Sequence, residues 1–414
     1  MGLIIVVFLS FTKASRKQDR IFSMKHLLLF ICLFLSLSAQ NLDEIISSAL
    51  ENSPSLEAMN ERIVAHKENI SVSDSFANPE VLILTNTIDD NEPMSQSSIS
   101  IKQKLPYFGK QKARKNIAFA QDNMLQNTLE SAKSKLVYLI KMQAYTLYEL
   151  EGVYKIICDY EDLTKQNLEL YESYTSTSDN QHMGIMSAEL ALSDLRIQKS
   201  FLISQINSAY AKLSYLSASE ITELDLLLDV EKIDGLNVLK EGLENNLDLS
   251  VKQKEVELVE ANLQRVDLDN YPDVALVAGY SYRDKFDDFA SFGVGMSLPI
   301  YGSEDYKREE ARRLVLAKRA LKEDTRLRVD ADFQMAYAQM KSAYETYHII
   351  NDQALPQLEH MFELINSSVS AGADLFKYID ILIQKLKLEK RSIKAVANYN
   401  KAQAKIEALK GEAD

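Results

Sequence analysis

The most constraining feature of this sequence is an internal duplication. Residues 50–109 match residues 243–302 at a constant offset of 193 residues, and neither segment has an insertion relative to the other. The matching elements are Leu50-Glu51-Asn52 and Leu243-Glu244-Asn245, Pro79 and Pro272, and Leu105-Pro106-x-x-Gly109 and Leu298-Pro299-x-x-Gly302. Solenoid repeats are only about 20–50 residues long. A repeat of this size must therefore be a whole assembly of helices and strands, and we predict a first repeat over residues 40–225 and a second over 226–414.

The first 39 residues have the pattern of a leader. Residues 24–39 combine a short basic start, an apolar run and small residues before a polar segment, which is typical of a secretory signal peptide. Whether residues 1–23 are translated stays open. The chain has a net charge of −13, and removal of the leader, with five basic residues and one acidic residue, gives −17. Such an acidic chain is a poor partner for nucleic acid, whose binding rests on phosphate neutralisation.

Each repeat is predicted to contain two strands of period two, at about residues 80–88, 97–105, 273–282 and 290–298. Apolar side chains on one side of these segments alternate with glycine, serine, alanine and lysine on the other, a pattern that indicates a strand between two different solvents. The residues that we expect to face lipid are Ile99, Ile101, Phe292, Val294 and Met296.

Long helices are predicted around the strands, at about 42–76, 110–175, 236–269 and 303–369. Two stretches have the alternating steps of four and three that form a coiled-coil seam. They are Phe333, Tyr337, Met340, Tyr344 and Tyr347, and Leu375, Ile379, Leu382 and Leu386. Pro356 is expected to kink or break its helix. Each long helix is expected to reverse at a glycine, Gly184 or Gly372, into a shorter antiparallel partner.

The strand count predicts an oligomer. Four amphipathic strands flanked by aromatic residues are typical of a transmembrane barrel wall, but four strands cannot close a barrel, and open edges are not tolerated in lipid. A dimer would give eight strands with an interior filled by side chains, whereas a trimer would give 12 strands with room for a lumen. The small and polar residues on one face favour the trimer.

The order of these motifs, together with Ala49-Leu50-Glu51-Asn52-Ser53-Pro54-Ser55-Leu56 and Leu355-Pro356-Gln357, resembles the TolC-like family of outer-membrane factors. The segment 105–110 is similar to the strand exit often found in the branch of this family that serves heavy-metal cation pumps. The resemblance implies a mainly α fold with a small β-barrel contribution. It implies a homotrimer with a 12-strand barrel in the outer membrane of a Gram-negative bacterium and a 12-helix barrel in the periplasm. It also implies a periplasmic adaptor and an inner-membrane pump, most simply of the RND type, as partners.

The site predictions follow from that resemblance. The helix after the second reversal carries aspartates at the channel entrance in the family, so Asp380, and more weakly Glu189, are candidates for a gate. A solvated surface carboxylate is the competing interpretation of Asp380. The tips expected to dock the adaptor are Met183, Gly184, Ile185, Gly372 and Ala373. The cluster Lys110, Lys112, Arg114 and Lys115 is expected near lipid headgroups.

The sequence lacks a phosphate-binding loop, a cysteine pair and a Ser/His/Asp arrangement, so we expect neither an enzyme nor a cofactor. His182, Met183 and Met186 would suit a soft-metal site, but an apolar tip buried against an adaptor is the preferred interpretation, and we predict no metal ligand. The function predicted is an outer-membrane exit duct of a tripartite efflux system for metal cations or small toxic compounds. The alternatives are a duct for type I protein secretion and a periplasmic coiled-coil scaffold without a barrel.

Overall fold

The computed structural model describes residues 40–86, 95–173, 179–369 and 375–412, and most of them are helical. The elements of the first repeat are β1 (Gln40–Asn41), α1 (Leu42–Asn52), α2 (Pro54–Ser73), β2 (Glu80–Thr85), β3 (Gln96–Leu105), α3 (Lys110–Ser173), α4 (Asp179–Ser217) and β4 (Leu224–Asp225). Those of the second are α5 (Leu236–Lys240), a 3-10 turn (Leu243–Asn245), α6 (Leu247–Leu268), β5 (Val274–Arg283), β6 (Phe289–Met296), α7 (Ser303–His348), a π-helix (Ile349–Ala354), α8 (Leu355–Val369) and α9 (Leu375–Lys410).

The helix predicted over 42–76 is interrupted at Ser53, and that part of the prediction is wrong. Ser53 has extended backbone angles, with φ −67° and ψ 115°, and Pro54 is the first residue of α2. Proline favours the first helical position, where no N–H bond is lost, and disfavours a helical conformation in the residue before it. The chain therefore ends one helix and starts another at this point.

The helix predicted over 236–269 is also broken, at the equivalent position of the second repeat. Asn246, which is 193 residues after Ser53, precedes α6, and its Oδ1 accepts a hydrogen bond from the Leu249 N–H at 3.0 Å. Its Nδ2 donates to the Leu409 carbonyl at 2.9 Å, so the buried cap also joins α6 to the end of α9. Gly242, at φ +92°, supports the turn before it.

Four long helices hold about half of the described residues. They are α3 with 64 residues, α4 with 39, α7 with 46 and α9 with 36. At about 1.5 Å of rise per residue, α3 alone is about 96 Å long. Helices of this length on so few strands make an elongated molecule.

Burial confirms the predicted coiled-coil seams except at Tyr347, which lies in no core cluster, and at Leu375, whose side chain lies outside the described part of the structure. Phe333 and Met340 on α7 lie in a core cluster with Tyr399, Ala402 and Ile406 of α9, and Tyr337 and Tyr344 pack against it. Ile379, Leu382 and Leu386 of α9 lie in a second cluster, with Ile157 of α3 and Leu195 of α4. A third cluster joins α1, α3 and α4. The hydrophobic core is therefore divided along the helices rather than gathered at one centre.

The interruption expected at Pro356 takes the form of a π-helix over Ile349–Ala354. The Leu355 N–H bonds to the Ile350 carbonyl five residues earlier, because the ring of Pro356 obstructs regular α-helical geometry in the turn before it. Asn351 lies in this segment and donates to Ser392 of α9 at 2.9 Å. The widened turn is therefore tied to the helix beside it.

The strands form two sheets. β1 and β4 pair in parallel through Gln40–Leu224 and Asn41–Asp225. The larger sheet is antiparallel, with the order β2-β3-β5-β6, so β2 and β6 are its edges. Val81 pairs with Ile101, whereas the residue equivalent to Val81, Val274, pairs with Met296 instead of Val294. The second hairpin is thus shifted by two residues, which changes the partners but keeps each side chain on the same face.

None of the described helices is long and apolar enough to cross a membrane.

The buried ring of Phe333 gives a test of the α7–α9 seam. Phe333→Ala should lower the free energy of unfolding by about 3–5 kcal/mol, because a large cavity would remain. Met335→Ala on the same helix, where the side chain is 56% exposed, should cost less than about 1 kcal/mol. The helical circular-dichroism signal during denaturation measures both losses, and equal losses would contradict the seam.

Candidate functional site: the four-stranded sheet and the helix ends

The register of the larger sheet places the predicted lipid-facing residues on one face. Ile99 pairs with Ile83 and Tyr280, and Ile101 pairs with Val81 and Ala278. Ala278 in turn pairs with Phe292, and Val294 and Met296 continue the same face of β6. All five predicted residues are between 47% and 85% exposed. A continuous apolar face of this kind, covered by nothing in the chain, marks an interaction with lipid or protein.

The opposite face is small and polar, with one apolar stretch on β2. The aligned positions on the other strands are Ser98, Ser100, Lys102 and Lys104 of β3, Ala275, Val277, Gly279 and Ser281 of β5, and Ser291, Gly293 and Gly295 of β6. The carboxylate of Glu80 on β2 forms ion pairs with Lys104 Nζ at 2.6 Å and with Lys102 Nζ at 3.5 Å. A face with glycine, serine and internally paired charges is suited to water.

Exposed aromatic residues border the sheet at both ends. Near the β5–β6 turn they are Tyr280, Tyr282, Phe286 and Phe289, and near the strand exits they are Tyr107, Phe108, Tyr271 and Tyr301. Tyr and Phe at both ends of an apolar band are typical of the two membrane–water interfaces of a β-barrel.

The two Leu-Pro-x-x-Gly segments turn the chain from a strand into a long helix. Gly109, at φ +93°, directly precedes α3, and Gly302, at φ +69°, directly precedes α7. Only glycine adopts this left-handed conformation without steric cost. The duplicated motif therefore produces the same sharp turn twice.

The two repeats are joined at this turn by an ion pair that the sequence did not predict. Lys110 is buried, and its Nζ lies 2.8 Å from both Asp273 Oδ1 and the Tyr271 carbonyl. The Tyr107 N–H also donates to Asp273 Oδ1 at 2.8 Å, and the Tyr107 and Tyr271 rings stack with centroids 4.5 Å apart. We call Tyr107, Lys110, Tyr271 and Asp273 the inter-repeat latch.

The latch corrects the role given to the basic cluster. Lys110 forms an ion pair with Asp273, and Lys115 forms one with Asp74 at 2.7 Å. Two of the four cations in the basic cluster are therefore paired within the chain rather than with lipid headgroups. Burial raises the pKa of the Asp273 carboxyl, but the hydrogen bonds from Lys110 and Tyr107 and the nearby positive charges lower it more, so its pKa lies below the usual value. One signal for this residue existed: Asp273 is the equivalent of Glu80, and Glu80 is the first residue of β2 while Asp273 directly precedes β5.

The first reversal does not occur at Gly184. Gly184 lies inside α4, five residues after the helix begins at Asp179, and glycine within a helix is tolerated at a modest cost in propensity. The first long helix ends at Ser173 and α4 begins at Asp179, and residues 174–178 lie outside the described part of the chain. Met183 is 65% exposed, and Ile185 packs against the core cluster of α3, α4 and α9. Gly372 and Ala373 lie outside the described residues, so that reversal stays a prediction.

Asp380 and Glu189 are both exposed in the single chain. Asp380 lies between buried Ile379 and Ile381, and its Oδ2 accepts a hydrogen bond from Gln384 Nε2 at 2.8 Å. The carboxylate therefore points away from the core of its own chain, as both a gate residue and a solvated residue would. Within the part of the chain that the structure describes, no three His, Cys, Asp or Glu side chains are grouped to hold a metal ion.

Comparison with known proteins supports the family resemblance over the second repeat, and the fold over most of the chain. Residues 238–412 match the family model described as outer membrane efflux protein. Among solved structures, the fold resembles that of CusC, a protein whose conformational changes accompany folding and transmembrane channel formation. The TM-score is 0.75 at 12% identity, with coverage of 89% of this chain and 91% of that one. No curated protein sequence matches the chain.

Two outer-membrane proteins have the same fold. The open-state outer membrane channel MtrE of Neisseria gonorrhoeae matches with a TM-score of 0.77, 14% identity, and coverage of 90% of this chain and 89% of that one. The outer membrane protein VceC of Vibrio cholerae matches with a TM-score of 0.75, 14% identity, and coverage of 89% and 96%. The prediction that the chain is not an enzyme agrees with the family model.

Arginine substitution can distinguish the two faces of the four-stranded sheet. Ile101→Arg or Val294→Arg should cost about 2–4 kcal/mol near the membrane midplane, because the charge would face hydrocarbon. Ser100→Arg, one residue from Ile101 on the opposite face, should assemble normally. An outer-membrane assembly assay measures both, and equal tolerance of arginine would contradict the assignment of the faces.

The latch predicts a pH-dependent contribution to stability. Asp273→Asn should destabilise the protein by about 2 kcal/mol at neutral pH, because Lys110 would stay buried without its ion pair. A carboxyl with a lowered folded-state pKa stabilises above its unfolded pKa and loses that contribution as pH falls through its folded value. The parent and variant should therefore converge in unfolding free energy below about pH 4. A difference that persists undiminished at pH 2 would contradict the ion pair as its cause.

Proposed function

We propose that this chain, whose residues 238–412 belong to the outer membrane efflux protein family, forms a trimeric exit duct in the outer membrane of a Gram-negative bacterium. The single observation that carries the proposal is the sheet: one face is apolar and exposed, and the other is mostly small and polar. The outer edges of β2 and β6 have no partner strand among the described residues. Such a sheet is incomplete alone and becomes a barrel wall when copies join edge to edge.

The edges support a head-to-tail ring. The contact between β3 and β5 joins the second strand of one repeat to the first strand of the other. Because the repeats are duplicates, β6 of one copy can pair with β2 of the next in the same antiparallel way. Such a heterologous contact generates a closed ring when the rotation closes. The glycines of β6 and the serines of β3 leave an interior open to water, which favours 12 strands from three copies over eight from two.

The helices give the duct its second half. By analogy with the family, the long helices would extend into the periplasm as a 12-helix barrel; they are α3, α4, α7 and α9, with the shorter α8. The helix ends around Met183 and Ile185 would lie farthest from the sheet. We propose that these ends dock a periplasmic adaptor of an inner-membrane pump, most simply of the RND type, in a tripartite system. Gly372 and Ala373 are expected at the second docking tip. The partners of the duct follow from the family rather than from any contact in the single chain.

The cargo predicted from the sequence is metal cations or small toxic compounds. The exit duct for type I secretion shares the same fold and stays the alternative. A coiled-coil scaffold without a barrel does not explain four strands with an exposed apolar face and aromatic borders.

Conductance separates a channel from a scaffold. Purified protein in planar bilayers should give discrete current steps, and unheated samples should migrate as trimers in detergent gels and as monomers after boiling. Absence of both the current and the heat-dependent mobility would contradict the proposed function.

Asp380 provides a test of the gate. If α9 lines the entrance, three Asp380 carboxylates lie near one axis, where like charges attract multivalent cations. Asp380→Ala should weaken the block of current by a trivalent lanthanide ion added on the periplasmic side by on the order of tenfold. Asp162→Ala, an exposed carboxylate on α3, should leave the block unchanged. Identical block in the parent and in Asp380→Ala would identify Asp380 as a solvated surface residue.

A further inference from the structure

A cavity of about 560 Å³ lies in the groove between α4 and α9 and is floored by α3. Its walls are mostly apolar, with Leu150, Val153, Leu195, Leu202, Leu382 and Leu386 among the lining residues. Phe201, at its edge, is 63% exposed. Cavities of about 300–1,000 Å³ with apolar walls are the size that binds small organic molecules.

Four cations line this cavity on the side of α9: Lys387, Lys390, Arg391 and Lys394. Their spacing of three, four and seven residues places them within about 10 Å along the helix. Lys387, Arg391 and Lys394 form no ion pair among the described residues. Arg391 and Lys394 also line the neighbouring groove between α9 and α7, so they stand on the ridge between two grooves.

The acidic groups nearby offset only part of this charge. Two carboxylates line the same cavity, Glu149 and Asp194. Glu149 is already paired with Lys401 at 2.9 Å. Asp194 accepts a hydrogen bond from Gln198 at 2.6 Å and keeps its negative charge, which acts on Lys390. Lys390 donates to Gln198 Oε1 at 2.7 Å, and burial lowers the pKa of its amine, with the Asp194 charge opposing that effect. The rim therefore keeps a surplus of positive charge in a chain that is acidic as a whole.

The cavity also contains an unsatisfied polar group. Thr164 of α3 lines it and is 1% exposed, yet its Oγ1 has no hydrogen-bond partner. A buried hydroxyl without a partner costs about 1–3 kcal/mol. In a helix, threonine commonly satisfies this oxygen by donating to the carbonyl four residues earlier, as Thr146 does with Met142. Thr164 instead offers its hydroxyl beside the apolar walls.

We propose that this groove binds an amphipathic organic anion, with its apolar body against the leucines and its acidic head at Lys387, Arg391 and Lys394. The inference rests on the proposed function, because it identifies the class of small compound that the duct would carry. Along α9 the three cations lie about 10–21 Å from Asp380, so the groove is separate from the proposed gate. A purely polar anion would leave the apolar walls wet, and a cation would be repelled by the rim.

The experiment compares two fluorescent probes of nearly equal shape: dansyl-undecanoate, which is an amphipathic carboxylate, and its uncharged methyl amide. Titration into detergent-purified protein should give binding of the carboxylate at least on the order of tenfold tighter than the amide. The combined variant Lys387→Gln, Arg391→Gln, Lys394→Gln should abolish that preference and bind the amide as the parent does. Thr164→Val should weaken binding of the carboxylate probe by a few-fold, because the probe would lose a hydrogen-bond partner in the groove.

The matched control removes the same charge elsewhere. Lys155, Lys165 and Lys212 are exposed lysines of α3 and α4, and their replacement by glutamine should leave the preference intact. An equal loss in this control would show a general charge effect and overturn the site, as would equal binding of carboxylate and amide by the parent.

Two further outcomes separate this inference from the proposed function. A parent that conducts in bilayers but binds neither probe refutes the site and leaves the duct standing, whereas a parent that binds the carboxylate but never conducts does the reverse. Loss of trimers in the combined glutamine variant would overturn the inference, because it would assign the three cations to a contact between copies.

Discussion

The constraint on which the rest of this structure depends is the need to satisfy the backbone at the edges of the four-stranded sheet. Strands β2 and β6 each present a row of N–H and C=O groups with no partner in the chain. In water these groups would bond to solvent, but the exposed apolar face beside them favours hydrocarbon, where each unpaired group costs several kcal/mol. Only pairing with other copies meets both demands. The oligomer, the lumen and the proposed duct all follow from that conflict.

The duplication makes the proposed solution available because the contact of β3 with β5 within the chain can be repeated by β6 of one copy with β2 of the next. The latch of Lys110 and Asp273 fixes the junction of the two repeats just below the sheet, while the caps at Ser53 and Asn246 set the short helices that lead into it. Both caps are buried, and both start a helix that runs up to a strand. A rigid junction between the sheet and helices of about 96 Å would transmit the spacing of the strands to the helix ends.

Much of this arrangement was predictable from sequence because it rests on hydrophobic periodicity and on the Pro and Gly residues that end helices and strands. Strand alternation set the two faces, and the parity survived a two-residue shift of the second hairpin. The α7–α9 seam followed from steps of three and four. The failures have local causes. Pro54 and Gly242 broke helices that a smooth apolar pattern had joined, and Gly184 proved helical although glycine often ends helices. Asp273 and Thr164 were missed because a partner, or the lack of one, depends on tertiary contacts that no spacing reveals.

The central claim, closure of the sheet edges between copies, is tested most directly by disulfide cross-linking of β6 to β2, with both natural cysteines replaced by serine. Directly opposed residues share a face, so Met296→Cys should form a disulfide between copies with a cysteine at Val81, Ile83 or Thr85, and should give covalent trimers in detergent gels without reductant. Cysteines at Leu82 or Leu84, on the other face, should not link. Cross-linking at Leu82 or Leu84, or monomers from all five pairs, would contradict the account.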